Sequence, residues 1–151
     1  MTDPFKSINE EVRTFQIAPP QNISAHPTSL YENPHLWTAT ITGPPNSPYS
    51  GGKFKLSLLL PPDYPSSAPE IKFETKIFHP NVNARGQIGM GTRMGELTSF
   101  RVSQVLVVVY EVLILPEVED AVDCGAAGLY EGDLEGFERV AREWTGKFAR
   151  G

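Results

Sequence analysis

Lys53-Phe54-Lys55-Leu56-Ser57-Leu58-Leu59-Leu60 sets Phe54, Leu56, Leu58 and Leu60 in alternation against Lys53, Lys55 and Ser57. A period of two places the apolar side chains on one face of an extended strand and the lysines on the other, so this segment reads as a strand with one wet face. Upstream, Trp37, Ala39 and Ile41 alternate with threonines in the same way. Between the two runs, Gly43-Pro44-Pro45-Asn46-Ser47-Pro48-Tyr49-Ser50-Gly51-Gly52 is built from residues that fix or free φ. It suits an antiparallel hairpin with a connection longer than two residues. A third strand is expected at Ile71 to Phe73, beyond Pro61-Pro62-Asp63-Tyr64-Pro65. The prolines bar that connection from the middle of a sheet.

Outside the strands the period shifts toward 3.6. Asp3-Pro4 has the form of a helix N-cap with proline at the first helical position. Phe5, Ile8, Val12 and Phe15 then recur at spacings of three and four, a stripe expected to dock on the domain, ending before Pro19-Pro20. Val102 to Leu115 is apolar nearly all round and rich in valine, so its pattern fits a buried helix or a buried strand. Its length of 14 residues selects the helix. Phe137, Val140, Ala141, Trp144 and Phe148 mark the face of a last helix. A helix, a strand meander, a long loop and then helices make an α+β arrangement with helices on one side of an antiparallel sheet.

The 151 residues, 40% of them hydrophobic, suffice for one sizeable core, so residues 1–151 are expected to form one domain. With 13 basic and 18 acidic residues the net charge is -5, which argues against nucleic acid as a partner. The lone cysteine, Cys124, cannot form an internal disulfide, and Met1-Thr2-Asp3-Pro4 lacks the character of a signal peptide. An intracellular setting, cytoplasmic or nuclear, is expected. The apolar run Val105 to Val109 is too short to span a bilayer, so no membrane partner is expected. His26, His35 and His79 have neither i, i+4 pairing nor cysteine companions, and no glycine-rich loop ends in Lys-Ser or Lys-Thr. No metal and no cofactor is expected.

His79-Pro80-Asn81-Val82-Asn83-Ala84-Arg85-Gly86-Gln87-Ile88-Gly89 resembles the active-site segment of ubiquitin-conjugating enzymes (E2s), where HPN and a variable turn lead to the catalytic cysteine. Gly43-Pro44, Ser47-Pro48-Tyr49, Gly51-Gly52, Tyr64-Pro65, Ala68-Pro69 and the terminal Ala141-Arg142-Glu143-Trp144-Thr145 match that family in order and spacing. The resemblance covers essentially the whole chain. It implies a UBC-like fold: an N-terminal helix, a four-stranded antiparallel meander, a long central helix and C-terminal helices.

The same resemblance puts Gly89 in the slot of the cysteine that forms the ubiquitin thioester, and covalent catalysis requires that nucleophile. His79, Pro80 and Asn81 are retained. In the family the asparagine is held to stabilise the oxyanion, and an acidic residue, matched by Asp120, attends the attacking lysine. Residue chemistry favours a plainer role for His79 and Asn81, since both can pair backbone groups in an irregular loop. Asp120 sits among Glu117, Glu119 and Asp123, which read as a solvated acidic loop. Cys124 is expected to be a small buried hydrophobe, and Asp120 and Asp123 oppose a thiolate there.

Three glycines in Gly89-Met90-Gly91-Thr92-Arg93-Met94-Gly95 predict a mobile loop. Ser66, Thr98 and Ser99 stand where the family presents apolar contacts to E3 ligases. Losing one such anchor typically costs about 2 kcal/mol, more than tenfold in affinity. The first helix carries only Lys6 and Arg13 as cations, against Asp3, Glu10 and Glu11, so weak engagement of the activating enzyme (E1) is expected as well. Ser24, with Lys53, Lys55 and Ser57, lies where E2s bind a second ubiquitin non-covalently.

These features predict a catalytically inactive E2 variant that binds ubiquitin non-covalently, or an active E2, as a monomer or heterodimer. The competing reading is an E2 whose cysteine has been replaced at Gly89, or one that uses Cys124.

Overall fold

The computed structural model describes residues 4–29 and 32–150, so the anticipated cap at Asp3 lies outside the described residues. Helix α1 (Pro4–Ile17) leads into strands β1 (Ile23–Ser29), β2 (Asn33–Thr42), β3 (Lys53–Leu59) and β4 (Glu70–Phe73). Then follow a short helix α2 (Gly91–Met94), the central helix α3 (Val102–Ile114), a 3-10 turn at Val118–Asp120, α4 (Cys124–Gly132) and α5 (Leu134–Phe148).

The four strands form one antiparallel meander in the order β1-β2-β3-β4. Alternation places Trp37, Ala39, Ile41, Phe54, Leu56 and Leu58 in the core, as their period of two requires. On the opposite face the register aligns Ser24 with Thr40 and Lys55, and His26 with Thr38, Ser57 and Lys72. The residue pattern alone marks three strands. β1 escapes it because Pro27 and a register irregularity between Pro27 and Ser29 break the alternation, which an edge strand tolerates.

Helix α3 buries Val102, Val105, Leu106, Val109, Val112 and Leu113 and leaves Gln104, Glu111 and Ile114 outside, which explains its nearly uniform apolar sequence. It has no cap from its own N-cap residue, Arg101. Two orphan N–H groups of its first turn find acceptors far away in sequence: Val102 donates to Tyr64 Oη (3.0 Å) and Ser103 to Glu11 Oε1 (2.7 Å). Glu11 is therefore a core residue, 1% exposed, while Phe5 is 58% exposed. Of the expected docking stripe, Ile8 is buried and Val12 and Phe15 pack against the core, while Phe5 stays largely outside; Ser7 and Glu11 join the inward face, Glu11 with its carboxylate at the start of α3.

α2 also departs from expectation. Residues 91–94 form a helical turn closed by Met94 N–H to Met90 O (3.0 Å) and Gly95 N–H to Gly91 O (2.9 Å). Contacts of Thr92 and Arg93, described below, anchor a segment that glycine content alone would leave loose. No helix among the described residues is long and apolar enough to cross a membrane.

Candidate functional site

The loop from His79 to Gly89 folds back on itself through short β-bridges, His79 with Val82 and Val82 with Ile88. Its tip is an Asx-type turn in which Asn83 Oδ1 accepts from the N–H groups of Arg85 and Gln87, both at 3.0 Å. Gly86 has φ +82°, and a Cβ there would strike the carbonyl oxygen of Phe73. Only glycine satisfies both conditions. The turn brings the two ends of the motif together: Gly89 N–H donates to Asn81 O at 2.8 Å.

His79 is fully buried, with Nδ1 accepting from Asn81 N–H (2.9 Å) and Nε2 donating to Val112 O (2.8 Å). These partners fix the Nε2–H tautomer. Burial dominates over the Val112 hydrogen bond and lowers the imidazole pKa to about 4, so the ring is a neutral structural link rather than an acid or base near pH 7.

Asn81 is equally committed. Its Nδ2 donates to Gly89 O (2.7 Å) and Glu117 O (2.8 Å), and its Oδ1 accepts from Glu117 N–H (3.0 Å). Both amide hydrogens are used, leaving none for an oxyanion. The asparagine clasps the loop that follows α3 onto the HPN segment. Pro80 O adds to the clasp by accepting from Val122 N–H (2.9 Å) and Asp123 N–H (3.0 Å).

That clasp determines the surroundings of Gly89. A Cβ built on Gly89 would overlap the carbonyl oxygen of Asp120 and come within 2.7 Å of Val122 Cγ1. The position offers no reactive atom and no room for one. The Asp120 carboxylate is engaged too, since its Oδ2 accepts from Thr92 N–H (2.9 Å) at the start of α2. Arg93 ties α2 down further through Glu117 (3.2 Å) and a close ion pair with Glu111. Part of the acidic loop read as merely solvated is thus a structural tie.

Cys124 corrects another expectation. It is exposed, at the first position of α4, where the inward positions go to Ala126 and Ala127. The side chain of Asp123 is turned to cap that helix through Ala126 N–H (3.0 Å). Ser24, Lys53 and Lys55 are exposed on the outer sheet face; Ser57 is half-buried and donates to Glu74 Oε1 (2.8 Å). Ser66 and Thr98 are exposed and Ser99 half-buried. A hydrogen bond from Phe100 N–H to Pro65 O (2.9 Å) joins the two loops that carry them. Val122 and Arg93 are not singled out by the sequence, and Glu117 reads there only as part of a solvated acidic loop. Val122 acts through its backbone and simple bulk, Glu117 through its backbone as well as its carboxylate, and Arg93 is one arginine beside three glycines, with no spacing to flag it.

The meander backed by a long central helix, with an HPN loop clasped to the segment after that helix, defines a UBC-type domain. The family model for ubiquitin-conjugating enzymes matches residues 7–145, and the chain belongs to that family. The crystal structure of a chain from Plasmodium yoelii, provisionally assigned as a ubiquitin conjugating enzyme, is similar at a TM-score of 0.89 and 31% sequence identity, covering 100% of this chain and 98% of that one. The domain places the protein in the ubiquitin conjugation pathway and among its proteins as partners.

Proposed function

We propose that this protein is a catalytically inactive E2 variant, a binding or regulatory module in ubiquitin conjugation. The observation that carries this reading is the closed slot at Gly89, where the Asp120 carbonyl and Val122 occupy the space a side chain would need. The commitment of both Asn81 amide hydrogens supports it, because the supporting chemistry is diverted to holding the loop. The same closure counts against an ordinary E2 that has merely lost its cysteine, since such a chain would keep room for the side chain it lacks.

On this reading the module binds ubiquitin or an active E2 non-covalently, through the outer sheet face around Ser24, Lys53, Lys55 and Ser57. Polar Ser66, Thr98 and Ser99 on the two joined loops go with weak binding of RING-type ligases. A second reading, a nucleophile moved to Cys124, has one observation in its favour: that thiol is exposed.

The deciding experiment incubates the protein with E1, ATP and ubiquitin and resolves the products on a non-reducing gel, for the native chain and for Cys124→Ser. No thiol-sensitive adduct is expected. An adduct lost in Cys124→Ser would establish the second reading and overturn the first. Ubiquitin titration by NMR, with a pull-down of active E2, tests the binding role; no shifted amide and no captured E2 would refute it.

A further inference from the structure

Lys72, Lys76 and Arg85 surround a surface depression of about 400 Å³, floored by the buried Phe73 and Gly86, where the end of β4 meets the tip of the HPN loop. All three residues are exposed. The Lys72 stem lies against Gly86, its Cγ only 3.1 Å from where a Cβ would stand. Lys76 Nζ sits 5.2 Å from the centroid of the Phe148 ring, and the backbone of Arg85 is fixed by its amide N–H to Asn83 Oδ1 while its side chain is exposed. Among the described residues Lys72, Lys76 and Arg85 form no ion pair, as is true of most cations of the chain. The one carboxylate in the depression, Glu74, accepts from the Ser57 hydroxyl. Lys55 adjoins through its backbone, which bonds both Glu74 and Thr75.

Three cations and one carboxylate around a hollow of side-chain size, on a chain with net charge -5, make a local excess of positive charge. We propose that this depression docks an acidic peptide segment of a partner protein, with carboxylates meeting Lys72, Lys76 and Arg85. Charge complementarity selects the partner. A duplex nucleic acid or an anionic membrane needs a broad cationic surface and would be repelled by a chain with 18 acidic and 13 basic residues, whereas a short extended peptide engages only the hollow. The proposal does not depend on catalytic inactivity, because the depression would bind such a peptide whether or not the chain accepted ubiquitin.

The test is fluorescence anisotropy with a fluorescein-labelled peptide of alternating Glu and Gly. It compares the native protein, a Lys72→Ala/Lys76→Ala/Arg85→Ala variant and a Lys6→Ala/Arg13→Ala control, with folding of each checked by thermal melt. Saturable binding that weakens with added salt, falls about tenfold or more in the triple variant and is unchanged in the control is expected. Absence of saturable binding, equal loss in the control, tighter binding of a single-stranded oligonucleotide or of phosphatidylserine vesicles, or a concentration-dependent dimer that competes with the peptide would each overturn the proposal.

Discussion

Gly89→Ala adds one methyl group at the point where the sign of the effect separates a closed slot from an open one. Gly89 is not among the glycines with positive φ, so its backbone suits any residue. In open space the substitution would stabilise the fold by about 0.4–1 kcal/mol, through the reduced entropy of the unfolded chain. In the structure the methyl meets the Asp120 carbonyl and Val122, and the loop that carries them must move. Overpacking of this kind costs about 1–3 kcal/mol. Moving the loop also strains bonds of about 1 kcal/mol each, from Val122 and Asp123 to Pro80 and from Thr92 to Asp120. A net loss of about 2 kcal/mol is expected, which for a domain of this size lowers Tm by about 4–8 °C. Calorimetry or fluorescence melting of the two proteins reads it directly. Gly89→Cys should be destabilised at least as much and should form no ubiquitin thioester in the charging assay. A Gly89→Ala protein melting at or above the native temperature, or a Gly89→Cys protein that charges efficiently with an unchanged Tm, would refute the closure.

Two further predictions concern the buried polar residues. The unfolded His79 imidazole takes up a proton below about pH 6.5, while the folded one resists down to about pH 4. Stability from this group is therefore full above the unfolded value, is lost as pH falls toward 4, and totals about 3 kcal/mol. Urea denaturation between pH 6.5 and 5, above most carboxylate titrations, should show the decline, and a flat profile would contradict it. Glu11→Ala removes the acceptor of Ser103 N–H and should cost about 2 kcal/mol with faster hydrogen exchange at that amide. Glu11→Gln, which keeps an acceptor oxygen, should cost less, and equal costs would show that charge rather than the hydrogen bond matters.

The strands β2 and β3 and helices α3 and α5 are legible because each carries a sustained period, and a period is a direct statement about which face is dry. Glu11 and Phe5 are misplaced by the same logic. Hydrophobicity predicts a docked phenylalanine and a wet glutamate, but the unpaired donors of a distant helix outweigh both. At the site, the glycine at position 89 can be read from one letter, while the crowding around it cannot, because it is made by a main-chain oxygen and a valine some thirty positions away. The helical turn at α2 is hidden for a related reason: three glycines weaken any local preference, and the ties that order it come from Glu111, Glu117 and Asp120 on other segments.

The bond between Glu11 and Ser103 spans 92 residues and also sets an order of events while the chain is being made. At roughly 5–20 residues per second, the ribosome needs several seconds or more after completing α1 to supply the amide that its carboxylate accepts from. Until then, docking α1 would strip water from an ionised group with nothing in exchange. A chain truncated before residue 103 thus leaves the Glu11 carboxylate of α1 without the amide it accepts from in the folded domain.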